Sequence, residues 1–114
     1  MDKVFTATIF WKTHEEGGRR GIPPEGTRYA PLIKIGEIMD WSIFFICPDF
    51  EKTNIIEFCF ASEAAPDELI CDHKDYGIYE GEKQVATVHI ESSEECTRPM
   101  IIQSFGKSGY GPQE

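Results

Sequence analysis

Several kinds of feature are missing from this chain of 114 residues, and each absence argues against a class of function. No apolar run approaches the ~20 residues that a membrane-spanning helix needs. The opening Met1-Asp2-Lys3-Val4 also lacks the apolar core of a secretion signal, so a cytoplasmic setting with no membrane partner is expected. The four cysteines, Cys47, Cys59, Cys71 and Cys96, include no C-x-x-C pair. Structural zinc sites draw on such close pairs, so no metal or cofactor is expected, and the thiols read as reduced small hydrophobes. Basic residues are scarce: 11 Lys and Arg against 20 Asp and Glu give a formal net charge of -9. A field of that sign repels the phosphate backbone on which non-specific nucleic-acid binding relies. Motifs of catalysis are missing too. There is no G-x-x-x-x-G-K-[ST] phosphate loop, since Gly106-Lys107-Ser108 is only its end, and no G-x-S-x-G elbow around any serine.

What the chain does have is an unusual loop. The stretch from Glu15 to Pro31 holds four of the ten glycines, three of the seven prolines and the arginines Arg19, Arg20 and Arg28. Glycine allows positive φ and close backbone approach while proline fixes φ, so this mixture builds a shaped connector. Loops of such length in a compact domain are uncommon and often bind something. His14-Glu15-Glu16 at its start reads as solvated polar loop, because neighbouring side chains diverge on an extended chain.

On either side the hydrophobic pattern has a period of two. Phe5, Ala7, Ile9 and Trp11 share one face of a strand over Val4 to Lys12, with Val4 and Phe10 marking a partly covered outer face. A second strand runs from Tyr29 to Ile35, with Ala30-Pro31 confining its beginning to an edge or bulge, and Gly36 to Asp40 turns the chain. Trp41 to Cys47 is the most apolar window and predicts a strand packed on both faces. Asn54 to Ala61 predicts the next strand, with Ile56, Phe58 and Phe60 on one face, and a helical turn follows Pro66. Asp75 to Glu80 and Lys83 to Glu91 predict a hairpin in which Ala86, Val88 and Ile90 oppose Val85, Thr87 and His89. Six short strands without a long helical period give an all-β barrel or sandwich within one domain, residues 1–91. Residues 92–114 read as a tail, in which Met100-Ile101-Ile102 and Phe105 form an extra strand or a docking clip.

Two motifs carry a family resemblance. Glu15-Glu16-Gly17-Gly18-Arg19, then Pro23, then Arg28-Tyr29-Ala30-Pro31 ahead of a strand, resembles the start of the C-terminal (third) β-barrel domain of translation elongation factor Tu-like proteins. Ile78-Tyr79-Glu80-Gly81-Glu82-Lys83-Gln84-Val85-Ala86-Thr87 resembles that domain's final hairpin, with Glu82 where the family has glycine. The resemblance spans residues 3–91 and implies a free-standing six-stranded antiparallel barrel. In the translation factors this domain is not catalytic; it helps to carry aminoacyl-tRNA and touches the exchange factor. Carried over residue by residue, the contact positions are Glu15, Glu16, Gly17, Gly18 and Arg19 in the loop and Glu80 and Gly81 in the turn. The expected function is a non-enzymatic module that binds a protein partner or small ligand through the loop, with Arg20, Arg28 and Tyr29 added to the candidate surface. Two alternatives stay open. Arg19, Arg20, Arg28 and Tyr29 could bind RNA by phosphate contact and stacking, or Cys71, Asp72 and His73 could serve a small metal-dependent enzyme. Exposed sheet edges also allow a homo-oligomer.

Overall fold

A computed structural model describes residues 2–96. The chain forms a closed six-stranded antiparallel β-barrel with one outer strand. The strands are β1 (Asp2–Trp11), β2 (Arg28–Tyr29), β3 (Leu32–Ile35), β4 (Ile38–Ile46), β5 (Ile55–Phe60), β6 (Asp75–Glu80) and β7 (Lys83–Cys96). Around the barrel the order is β4-β3-β6-β7-β1-β5, and a β4–β5 pairing returns the sheet to its start. Short 3-10 turns at His14–Glu16 and Asp67–Leu69 are the helical elements among the described residues. None of these is long and apolar enough to cross a membrane.

Alternation along the strands becomes the inside and outside of the barrel. Phe5, Ala7 and Ile9 on β1 are fully buried with Ile56, Phe58 and Phe60 of β5 and Ala86, Val88 and Ile90 of β7. Phe5 stacks on Phe58 at 5.2 Å and meets Phe60 edge-on at 6.2 Å. Cys47 and Cys59 are both buried, and Cys59 forms a small second cluster with Phe44 on the outside of the β4–β5 pair. This cluster covers only part of the outer face of β4, because Ile46 stays exposed, so that strand is not packed on both faces throughout.

Pro31 interrupts what would otherwise be one strand. The partners of β2 and β3 on β4 follow a single register, Arg28 and Tyr29 with Ile46 and Phe45, then Leu32 and Ile33 with Ser42 and Trp41. Pro31 has no N–H to give to the ladder. Its carbonyl still accepts from Ile43 N at 2.9 Å, which carries the register across the gap.

Four further expectations need correction. Phe10 is 55% exposed, so the outer face of β1 is bare at that point. Val85 is fully buried with its neighbour Ala86, because it is an extra residue on β7 between the pairs Ile78–Ala86 and Tyr79–Gln84. A β-bulge of this kind shifts the alternation and turns a side chain inward. The strand β7 also continues to Cys96, pairing Ser92 to Cys96 with Thr6 to Asp2, so the sheet extends beyond residue 91. The turn after β3 is likewise tighter than expected, since β4 resumes at Ile38. The strand expected at Met100-Ile101-Ile102 and Phe105 lies outside the described residues.

Phe58→Ala is expected to cost about 3–5 kcal/mol, whereas Phe10→Ala should stay within about 0.5 kcal/mol. Urea midpoints would measure both, and equal losses would contradict the assignment of inward and outward faces.

Candidate functional site

Trp11 ends β1 and Arg28 begins β2, but these strands are not neighbours in the sheet, so the chain between them has to cross one end of the barrel. The crossing begins with a capping box at Thr13. The Thr13 hydroxyl accepts from Glu16 N at 3.1 Å, and the Glu16 carboxylate accepts from Thr13 N at 2.9 Å, which closes the His14–Glu16 turn. The backbone hydrogen bond from Thr13 is the first reason that the Glu16 carboxyl is held below its ordinary pKa. Glu15 and Glu16 are both exposed.

The two glycines that follow have different roles. Gly17 caps the turn in the left-handed region at φ 96. Gly18 is buried against the preceding strand end, where an added Cβ would lie 2.3 Å from the Lys12 carbonyl oxygen. Any side chain there would push the loop off the barrel.

That close approach puts Arg19 beside residues far away in sequence. Its Nε donates to Glu80 Oε2 at 2.8 Å, and its Nη1 donates to the Gly21 carbonyl at 2.7 Å. The Tyr29 hydroxyl donates to the same Glu80 oxygen. The Arg19 guanidinium also lies over the Tyr29 ring, 5.5 Å from its centroid. Behind it an aromatic cluster continues, with Tyr29 against Phe45 at 5.5 Å and Trp11 at 5.8 Å, and Trp11 against Phe50 at 5.4 Å. The two stretches that carried the family resemblance therefore meet through one carboxylate. Burial, the hydrogen bond to Glu80 and the Glu80 charge push the Tyr29 phenol well above its ordinary value, against the pull of Arg19. Burial likewise pushes the nearby Cys47 thiol up to about 11.

Of the residues singled out in the sequence, Arg19, Tyr29 and Glu80 come together, while Gly17 and Gly18 shape the loop that allows it. Gly81 occupies the β6–β7 turn at φ 62, the pattern of hairpins with glycine at the first central position. Glu82 is outside the left-handed region, so this turn has no need of a glycine at that place. Arg28 is half-buried on β2. Arg20 is exposed and lines a shallow cavity of about 160 Å³ with Trp11, Lys12, His14, Gly21 and Ile22. Among the described residues, no carboxylate lines this cavity. Sequence reasoning missed Trp11 and Phe50 as supports, and also the Thr13-x-x-Glu16 capping signal. Of the set Cys71, Asp72 and His73, only His73 joins a group of three side chains able to ligate a metal, and its companions are His89 and Glu91.

Comparison of the chain with family models, with curated proteins and with solved structures finds no match.

Gly18→Ala is expected to destabilise the fold by about 1–3 kcal/mol through overpacking. Gly21→Ala, where nothing lies within 4 Å of the added carbon, should change stability by less than about 0.5 kcal/mol. Thermal unfolding of both variants would test the close approach. Tyr29 gives a second prediction. Its folded-state pKa lies above its unfolded value, so its contribution is fully present below pH about 10 and is lost as the pH rises further. Tyr29→Phe should therefore flatten the alkaline fall in stability, and an unchanged slope in urea titrations above pH about 10 would refute the assignment.

Proposed function

We infer that this chain is a non-enzymatic interaction module, related to the third barrel domain of elongation factor Tu-like proteins, that docks a protein partner on its Thr13 to Ile22 loop. The observation that carries this reading is the Arg19–Tyr29–Glu80 clamp. Arg19, Tyr29 and Glu80 each engage another part of the same chain, so the work of the clamp is to hold the loop in one shape. A loop ordered in advance loses less conformational freedom when it binds.

Outside the clamp, the loop presents Arg20 and the 52%-exposed Ile22 at the rim of the cavity. Lys12 and Arg20 make that lining locally basic on a chain whose net charge is -9. A protein segment that combines an acidic residue with an apolar one complements such a surface. The acidic field over the rest of the molecule favours a protein partner over RNA.

Affinity capture from the source cell with the wild-type chain and with the Arg20→Glu, Ile22→Asp double variant tests this reading. The expected outcome is a defined protein whose recovery falls at least about tenfold, or 1.4 kcal/mol, in the variant while the melting temperature is unchanged. Equal recovery by both chains would overturn the loop assignment. RNA retained on filters at low salt and lost steeply at moderate salt would replace the protein partner with a nucleic acid.

A further inference from the structure

Away from the loop, three side chains with metal-ligating atoms gather on the outer face of the barrel, beside β6, β7 and β1. One ligand atom each from His73, His89 and Glu91 lies within 4.8 Å of the other two. We propose that these residues form a binding site for a transition-metal cation of the Zn²⁺ class, supported by Asp75 and Thr8.

The strand pairing explains how they converge. His89 on β7 is paired with Asp75 on β6 and with Thr8 on β1, so the three form a row across three strands. Val88 and Ile90, on either side of His89, are buried in the core, so His89 faces outward. Glu91 is the extra residue of a second β7 bulge, between the pairs Ala7–Ile90 and Thr6–Ser92. The Thr8 hydroxyl donates to Glu91 Oε2 at 2.7 Å and fixes the carboxylate beside the row. His73 arrives from the turn before β6. Its N–H donates to the Ile90 carbonyl at 2.7 Å, and Ile90 N donates to the Lys74 carbonyl at 2.9 Å. The turn is thus stitched to the residue between the other two ligands. The Tyr76 hydroxyl braces it from the other side, accepting from Cys71 N at 2.9 Å and donating to the Leu69 carbonyl at 3.2 Å. His73 takes φ 66 and is the non-glycine residue in the left-handed region among the described residues. Backbone strain of that kind persists where the surroundings impose it, and it clusters at functional positions.

The support of His89 is that of a metal ligand. Its Nδ1 lies 2.7 Å from Asp75 Oδ1. A carboxylate that accepts the Nδ1 proton leaves Nε2 with a lone pair to offer and fixes the ring, which is how ligating imidazoles are commonly held. A surface ion pair would need only His89 and Asp75; it gives no reason for His73 and Glu91 to converge on the same place. Two imidazoles and one carboxylate suit Zn²⁺ and its neighbours, whereas Ca²⁺ and Mg²⁺ prefer all-oxygen shells. Three protein ligands leave a fourth tetrahedral position for water. Zinc bonds of about 2.0–2.1 Å set ligand atoms roughly 3.4 Å apart. The exposed side chains of His73 and Glu91 can draw in by that amount through small rotations.

The exposed Cys71 thiol could bind zinc by itself, so the test uses the full chain with Cys71→Ser. Calorimetric titration with Zn²⁺ should show stoichiometric binding in the wild type and in Cys71→Ser. His73→Ala and His89→Ala, each in that background, should weaken it by at least about tenfold, and Asp75→Asn by 10- to 100-fold. In NMR spectra the imidazole signals of His73 and His89 should move on adding Zn²⁺ while those of His14 stay in place, which separates binding from loss of fold. Absence of stoichiometric binding, binding abolished by Cys71→Ser, or binding indifferent to both histidine substitutions would overturn the proposal.

Discussion

Closure of the sheet is the constraint from which the rest follows, and β4 achieves it. Its first half pairs with β3, its middle pairs with β5 on the other side, and its last residues pair with β2. A closed sheet leaves no long free edge within the barrel and gives every strand one buried face. Closure also dictates the connections. The neighbours of β1 are β5 and β7, so the chain leaving β1 has to cross the barrel end before it can begin β2. Ordering such a crossing costs chain entropy, which the capping box, the buried Gly18 and the Arg19 hydrogen bonds offset.

Glu80 is the point at which the crossing is fastened to the opposite side of the sheet. One of its oxygens receives both the Arg19 guanidinium and the Tyr29 hydroxyl, and Arg19 has donors left for the Gly21 carbonyl. A lysine could supply the charge, but the forked guanidinium donates in two directions at once while its carbon lies 5.5 Å from the centroid of the Tyr29 ring. The side chains of Arg19 and Glu80 remain about a third exposed, 31% and 37%, so solvent screening limits the ion pair to a modest contribution. Its importance is geometric, because it decides which residues of the loop face the solvent.

Much of the fold was legible because a strand with one buried face has to alternate. Phe5, Ala7 and Ile9 announced their faces in this way, as did Ile56, Phe58 and Phe60. The pattern failed where an extra residue shifts the register, as at Val85, and where pairing rests on backbone groups alone, as at Ser92 to Glu95. Phe10 misled because an apolar side chain carries no mark of whether anything covers it. At the site, the glycine pair and Arg19 were legible as a shaped loop, but contact with Glu80 links residues 61 apart, and no local pattern records such a distance. His89 and Glu91 were hidden for a related reason. They read as the outward side of a strand until the turn carrying His73 is seen to fold against them.

Pro31 has a consequence for the behaviour of this protein in crowded solution. Of the two halves it separates, β3 is paired on both sides, with β4 and β6, while β2 pairs with β4 at the end of the strand order. Because β2 is only Arg28–Tyr29 and a proline follows close behind, this end strand is too short and too broken to template the addition of further strands. The same residue that divides the strand thus acts as a gatekeeper against aggregation.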